Sequence, residues 1–326
     1  MSDRLEKRRD KRNKVKKAVL FFTVSILSIG LGLGTAYFTS KYVNNSSGEN
    51  KNILGSIQDK MVLGNRDSED KNTEKEPEVK KPLPTDVNKG SNTSIEGDKF
   101  TFSAVDAQKA NEYKLTADGN KMVFLTFDDG PSPKSTPAIL NILKENDVKA
   151  TFFVLGKNVD KTEDHKSILK QTLEEGHAIG NHSNSHNYDK LYPGRSANLN
   201  NITEDFETAN KKLQEVLGED FQTKVVRFPG GGMSWKNMQP VKEAFAAKGI
   251  AFLDWNIDST DARSKNRTKE QIVSAITKEL DKMESANIDK ITILMHDTDA
   301  KKSTVEALPE IISLLKSRGY AFKTLK

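Results

Sequence analysis

The chain of 326 residues contains no cysteine, which excludes disulfides and any thiolate metal site. An exported bacterial protein that folds without oxidation fits this composition. Tryptophan occurs twice and histidine five times, so the positions of those few side chains carry information. An excess of one charge is also missing from most of the chain. The formal net charge is +5, but residues 1–17 hold nine Lys/Arg against three Asp/Glu, which leaves the remainder at −1. The basicity is therefore local, and a nucleic-acid surface is not indicated. There is no internal repeat of solenoid type.

Next to the basic segment 1–17 lies an uncharged run, Ala18 to Thr39, of a length that crosses a bilayer as a helix. The preceding Arg/Lys cluster keeps the N-terminus cytoplasmic and places the rest outside the membrane. Residues 18–40 are read as a retained signal anchor. The small residues Gly34-Thr35-Ala36 leave cleavage and secretion as the alternative. Residues 41–95 are rich in Asn, Ser, Glu, Lys and Pro and cannot bury enough apolar surface to offset chain entropy. They are read as a disordered linker, with one candidate transient helix over 52–63.

Residues 96–326 have regular patterning. Strand-like runs occupy Met122–Phe127, Ala150–Leu155, Ala178–Asn181, Lys224–Phe228, Ile250–Ile257, Ile291–Met295 and Tyr320–Leu325. Helical stripes fill most gaps, at Thr136–Glu145, Lys166–Glu175, Ile202–Leu217, Lys269–Met283 and Thr304–Ser317, with Gly176, Gly218 and Gly319 placed as left-handed stops. Alternating strands and helices predict a parallel sheet covered by helices, closed or nearly closed into a barrel.

Polar groups recur at the C-terminal ends of these runs. Asp128 and Asp129 end the first, and His182 and His186 follow the third. Arg227 leads into Pro229-Gly230-Gly231-Gly232 after the fourth. Asp254, Asp258 and Asp261 lie in or after the fifth, and His296-Asp297 end the sixth. In a parallel barrel such ends gather at one mouth. Adjacent carboxylates repel unless a cation or a shared proton intervenes. Two His at i and i+4, placed on one side of a helix or turn, complete a two-His, one-carboxylate set with an open position. At this level either aspartate could ligate a metal or move a proton. His165 reads as a surface residue and His177 as a packing residue.

TFDDG, HSNSH, RFPGG, WNIDSTD and LMHD, in that order, resemble the five motifs of the polysaccharide deacetylases, the NodB-homology proteins or carbohydrate esterase family 4. The resemblance covers about Lys121 to Lys326. It implies a distorted seven-stranded (β/α) barrel and hydrolysis of acetyl groups, usually N-acetyl, on β-1,4-linked amino sugars. It also implies Asp129, His182 and His186 as ligands of one divalent metal, zinc by default, with cobalt, nickel or manganese as alternatives. Asp128 becomes the general base and His296 the general acid. Arg227 pairs with Asp128, Asp258 sets the charge of His296, the Gly230 N–H faces the oxyanion, and Leu294 lines the acetyl pocket. The usual Asp-Trp of the fourth motif is Asp261-Ala262 here, which leaves Trp255 or Trp235 as the substitute aromatic wall. Core packing is an equal reading for Trp255.

The chemistry has its own logic. An amide is a poor electrophile, so it needs a Lewis acid, a base and a proton donor for the leaving amine. The expected protein is a membrane-anchored enzyme acting on N-acetylglucosamine of peptidoglycan glycan strands. Chitin, poly-N-acetylglucosamine and acetylxylan are the alternative substrates, and a non-catalytic glycan-binding module is the alternative class.

Overall fold

The computed structural model describes residues 81–264 and 266–326. The basic segment 1–17, the candidate span 18–40 and the linker up to residue 80 lie outside the described residues. Among the described residues no helix is long and apolar enough to cross a membrane.

Strands β1 (Thr101–Phe102), β2 (Met122–Asp128), β3 (Thr151–Val154), β4 (Ala178–Asn181) and β5 (Val225–Val226) come first. They are followed by β6 (Ala251–Phe252), β7 (Ile257–Asp258), β8 (Lys290–His296), β9 (Ala321–Phe322) and β10 (Thr324–Leu325). The main sheet runs β6-β5-β4-β3-β2-β8-β7, and all its pairs are parallel. In β2, alternate residues separate two environments. Val123, Leu125 and Phe127 pack in the outer core under the helices, while Phe124 belongs to a smaller inner cluster with Phe153, Val225, Ala251 and Leu253. The same period of two puts Ile291, Ile293 and Met295 of β8 outside and Leu294 and His296 inside.

The expected fifth strand breaks in two. β6 and β7 are consecutive pieces of chain, yet they sit at opposite edges of the sheet. A flat path of seven strands would separate its edges by about 29 Å. The link from Phe252 to Ile257 can span at most about 18 Å. The sheet must therefore curl until its edges approach. The helix Ala104–Asn111 contacts β6 and β8. Its buried residues are Ala104, Ala107 and Ala110, small enough for close backbone approach. Asn111 Nδ2 donates to the Asp254 carbonyl at 3.0 Å. Three alanines carry little amphipathic signal, so the sequence pattern predicts no helix here.

The last expected strand is also divided. β9 pairs with the start of β2, while β10 leaves to pair with β1 in a separate two-stranded sheet. The architecture is a curled parallel α/β sheet with interrupted strands, in place of seven continuous staves. The linker boundary at residue 95 falls too late. Ser91 to Ser94 are buried, and Asn92 Nδ2 donates to the carbonyls of Ile179 and Leu325.

The long helices follow their stripes. Ile272, Ile276, Leu280 and Met283 are the buried face of Lys269–Ser285, which starts with a Thr268/Gln271 capping box. Ile202, Phe206, Ala209 and Leu213 are buried in Leu199–Leu217, and Gly218 ends that helix at φ 101°.

Candidate active site

Strand register brings the first functional pair together. Asp128, the last residue of β2, lies directly opposite His296, the last residue of β8. Both belong to the inner face, at the ends where the chain turns out of the sheet. Asp128 is 3% exposed. Burial raises its pKa, opposed by the charges of Arg227 and His296.

Arg227 follows β5 and is fully buried. Its Nη1 donates to Asp128 Oδ1 at 2.7 Å and to Thr126 Oγ1 at 2.8 Å. Its Nε and Nη2 donate to the carbonyls of Leu253 and Asp254. The guanidinium lies 4.2 Å from the Phe153 ring centroid and 5.6 Å from that of Trp255. A buried guanidinium with this many partners is a fixed positive wall for Asp128. The backbone of the same residue has a second task. Its carbonyl accepts from His182 Nδ1 at 2.8 Å. Burial takes the His182 pKa down to about 3, against the pull of Asp129. The ring is therefore neutral with its proton on Nδ1, and the Nε2 lone pair faces inward. That is the tautomer a metal-ligating histidine needs.

Asp129 and His186 complete the cluster. His182 Nε2 and His186 Nε2 lie 3.6 and 3.5 Å from Asp129 Oδ1, and one ligand atom from each of the three lies within 4.8 Å of the others. Ligand atoms around a tetrahedral zinc stand about 3.3 Å apart. Asp129 Oδ1 is buried without a hydrogen-bond partner. Both Asp129 (φ 77°) and His186 (φ 51°) adopt left-handed backbone, strain that is stored at functional sites. An orphaned carboxylate oxygen facing two imidazole nitrogens fits a divalent cation.

The two histidines do not share a helix, as their spacing allowed. His182 to Asn187 form a loop after β4, with Ser183 also left-handed at φ 75°. Asp205, buried in the helix Leu199–Leu217, shapes that loop. Its Oδ2 accepts from the N–H groups of Asn184 and Ser185 at 2.9 Å each and from Ser185 Oγ at 3.1 Å. Ser183 Oγ then accepts the His186 N–H at 3.1 Å.

With this geometry in view, comparisons with known proteins become specific. The sequence model of the family described as polysaccharide deacetylase matches residues 116–247. A peptidoglycan-N-acetylglucosamine deacetylase of Bacillus cereus is 33% identical over 219 residues, covering 67% of this chain and 74% of that one. YheN of Bacillus subtilis is 37% identical over 209 residues, 64% of this chain and 68% of its own. A CE4 esterase structure from Streptococcus mutans aligns with TM-score 0.69 at 35% identity, covering 75% of this chain and 100% of that one. The chain belongs to the polysaccharide deacetylase family.

One expectation for this deacetylase needs correction. The carboxylate beside His296 is Asp261, and Asp258 is engaged elsewhere. Asp261 Oδ1 lies 2.8 Å from His296 Nδ1, and its Oδ2 accepts the His296 N–H at 2.9 Å and Thr304 Oγ1 at 2.8 Å. Burial alone would lower the His296 pKa. The Asp261 contact, with the charges of Asp128 and Asp129, outweighs it and holds the imidazole up at about 9. Asp258 Oδ1 instead accepts the Thr260 N–H at 2.6 Å, and its Oδ2 takes the Arg263 guanidinium at 3.0 Å. Asp258 thus builds the turn, through Thr260 at φ 63°, that delivers Asp261.

The other expected residues occupy the rim and floor of the same mouth. Gly230 (φ 77°) turns the chain above Trp235, and its N–H donates to no acceptor among the described residues. A side chain at Gly231 would meet the Trp255 ring at 3.0 Å, so Trp255 packs on the glycine turn and on Arg227 while staying partly exposed. Leu294 is 6% exposed, two residues before His296 on the same face. His177 is buried as expected, with Nδ1 accepting the Ala150 N–H. His165, expected on the surface, is buried at 5% exposure and paired with Thr162.

Proposed function

We propose that this deacetylase removes N-acetyl groups from N-acetylglucosamine residues of peptidoglycan, using Asp128 as base, His296 as acid and a metal held by Asp129, His182 and His186. The observation that carries the reading is the Asp128–His296 pair across one strand register. One is a carboxylate backed by Arg227 and the other an imidazolium backed by Asp261. The named relatives that act on peptidoglycan support the substrate class.

A divalent ion, zinc by default, would supply Lewis acidity toward the acetyl carbonyl and the attacking water. Asp128 takes a proton from that water as its oxygen bonds to the carbonyl carbon. The Arg227 guanidinium, 2.7 Å from Asp128 Oδ1, fixes the carboxylate that accepts it. The Gly230 N–H is the available backbone donor for the oxyanion. His296 then passes its proton to the amide nitrogen. The C–N bond breaks, and acetate and a free amine are released. Leu294, buried beside His296, offers an apolar contact for the acetyl methyl.

The proposal includes location. The basic segment and apolar run at 1–40 support a membrane-anchored enzyme with its catalytic domain outside. Muropeptide mass analysis of walls treated with the purified protein tests the substrate. Disaccharides lacking the acetyl of N-acetylglucosamine are expected, and walls left fully acetylated would refute the assignment.

A further inference from the structure

The wall beside the metal-ligand cluster is aromatic, and it comes from a part of the chain outside the glycine turn and the Asp258–Asp261 loop. Tyr188 is 43% exposed although three rings back it. Its centroid lies 5.1 Å from His186, 5.0 Å from Trp235 and 6.2 Å from Tyr192. Tyr192 and Trp235 are themselves stacked at 4.1 Å and 6°, and Trp235 Nε1 is tied to the Pro229 carbonyl at 2.9 Å. The turn that carries Tyr188 is capped by Asn187, whose side chain accepts from the N–H groups of Asp189 and Lys190. Tyr188 is therefore a rigid ring with one open side. Ala262, next to Asp261, offers no ring.

We propose that the open side of Tyr188 is a stacking platform for the pyranose ring of the sugar adjoining the one that is deacetylated. This rests on the deacetylase reading given above. A pyranose presents an apolar C–H side that an aromatic ring can cover while its hydroxyls stay in water. A platform held by capping and stacking loses little entropy on binding. As a platform for the adjoining sugar, the ring adds binding only where a neighbouring unit is present, so it discriminates by chain length.

Two measurements on zinc-loaded protein test this. KM is determined for N-acetylglucosamine and its oligomers of two to five units, and calorimetry measures binding of the same sugars to the Asp128→Asn variant. Tyr188→Ala should raise KM for the longer oligomers on the order of tenfold, equivalent to about 1.4 kcal/mol, and weaken their binding equally. The advantage of long over short oligomers should shrink, and zinc affinity should hold. Tyr188→Phe should behave as the wild type. Oligomer binding indifferent to Tyr188→Ala overturns the platform. So does loss of zinc in Tyr188→Ala, which would make the ring a prop for His186, and so does a Tyr188→Phe defect equal to that of Ala. Oligomers that bind through Tyr188 but release no acetate would instead overturn the deacetylase reading alone, and no binding at all would overturn both.

Discussion

Replacing Asp261 by Asn removes the charge facing His296 while keeping the side chain's shape. The substitution takes the carboxylate charge out of the 2.8 Å contact with Nδ1, at an aspartate 3% exposed. A hydrogen bond to a charged group contributes about 1.5–3 kcal/mol, and one pKa unit corresponds to about 1.4 kcal/mol. His296, held at about 9, should therefore fall by about one to two units. A bound cation offsets part of the Asp128 and Asp129 contributions, so the wild-type value in the loaded enzyme lies somewhat below that figure. The sign follows from the chemistry. Hydrolysis needs His296 protonated, so activity is lost as pH rises through its pKa. A lower pKa moves that loss to lower pH. Initial rates of acetate release between pH 5 and 10 give the alkaline limb of kcat/KM for wild type, Asp261→Asn and Asp258→Asn. The limb should move down in Asp261→Asn and stay in place in Asp258→Asn. A limb that is unmoved in Asp261→Asn, or that moves equally in both variants, would refute the assignment.

Other perturbations address other parts of the site. Asp205→Asn should weaken zinc binding by about 10–100-fold through the loop that carries His186, as loss of outer support typically does; chelator competition measures it, and unchanged affinity would remove Asp205 from the account. Asp129→Ala should lose the metal and Asp128→Asn keep it, with stoichiometry read by elemental analysis; equal loss would show that the two carboxylates share one role. Gly180→Ala should lower the melting temperature, because its Cβ would stand 2.5 Å from the Phe153 ring. Overpacking costs about 1–3 kcal/mol, and a domain of this size loses about 2–4 °C per kcal/mol. A melting curve coincident with wild type would mean that the ring moves aside freely.

The strand ends were legible because each buried run closes on a polar group where the chain must turn. Asp128, Asp129, His182, Arg227 and His296 all follow from that rule, and strand register then brings Asp128 against His296. Asp258 and Asp261 were not separable by it, since three residues apart in one motif either could face the histidine. Only the end of β7 at Asp258 and the left-handed Thr260 decide the matter. Asp205 was hidden for another reason. A carboxylate within a helix reads as solvated surface, and its partners lie about twenty residues away in a loop. The break between β6 and β7 was equally unreadable, because Ile250–Ile257 keeps strand-like composition across the crossing. Nothing in the sequence singles out Tyr188, because its setting depends on Tyr192 and Trp235, four and 47 residues further along the chain.

The central claim is that Asp128 and a metal held by Asp129, His182 and His186 act together in hydrolysing an acetamide. The most direct measurement is acetate release by the purified protein from N-acetylglucosamine oligomers, before and after chelation, alongside the metal-loaded Asp128→Asn variant. Acetate should appear with the wild type, stop on chelation, return when zinc is restored and stay absent with Asp128→Asn. Acetate release that persists both after chelation and in Asp128→Asn would contradict it.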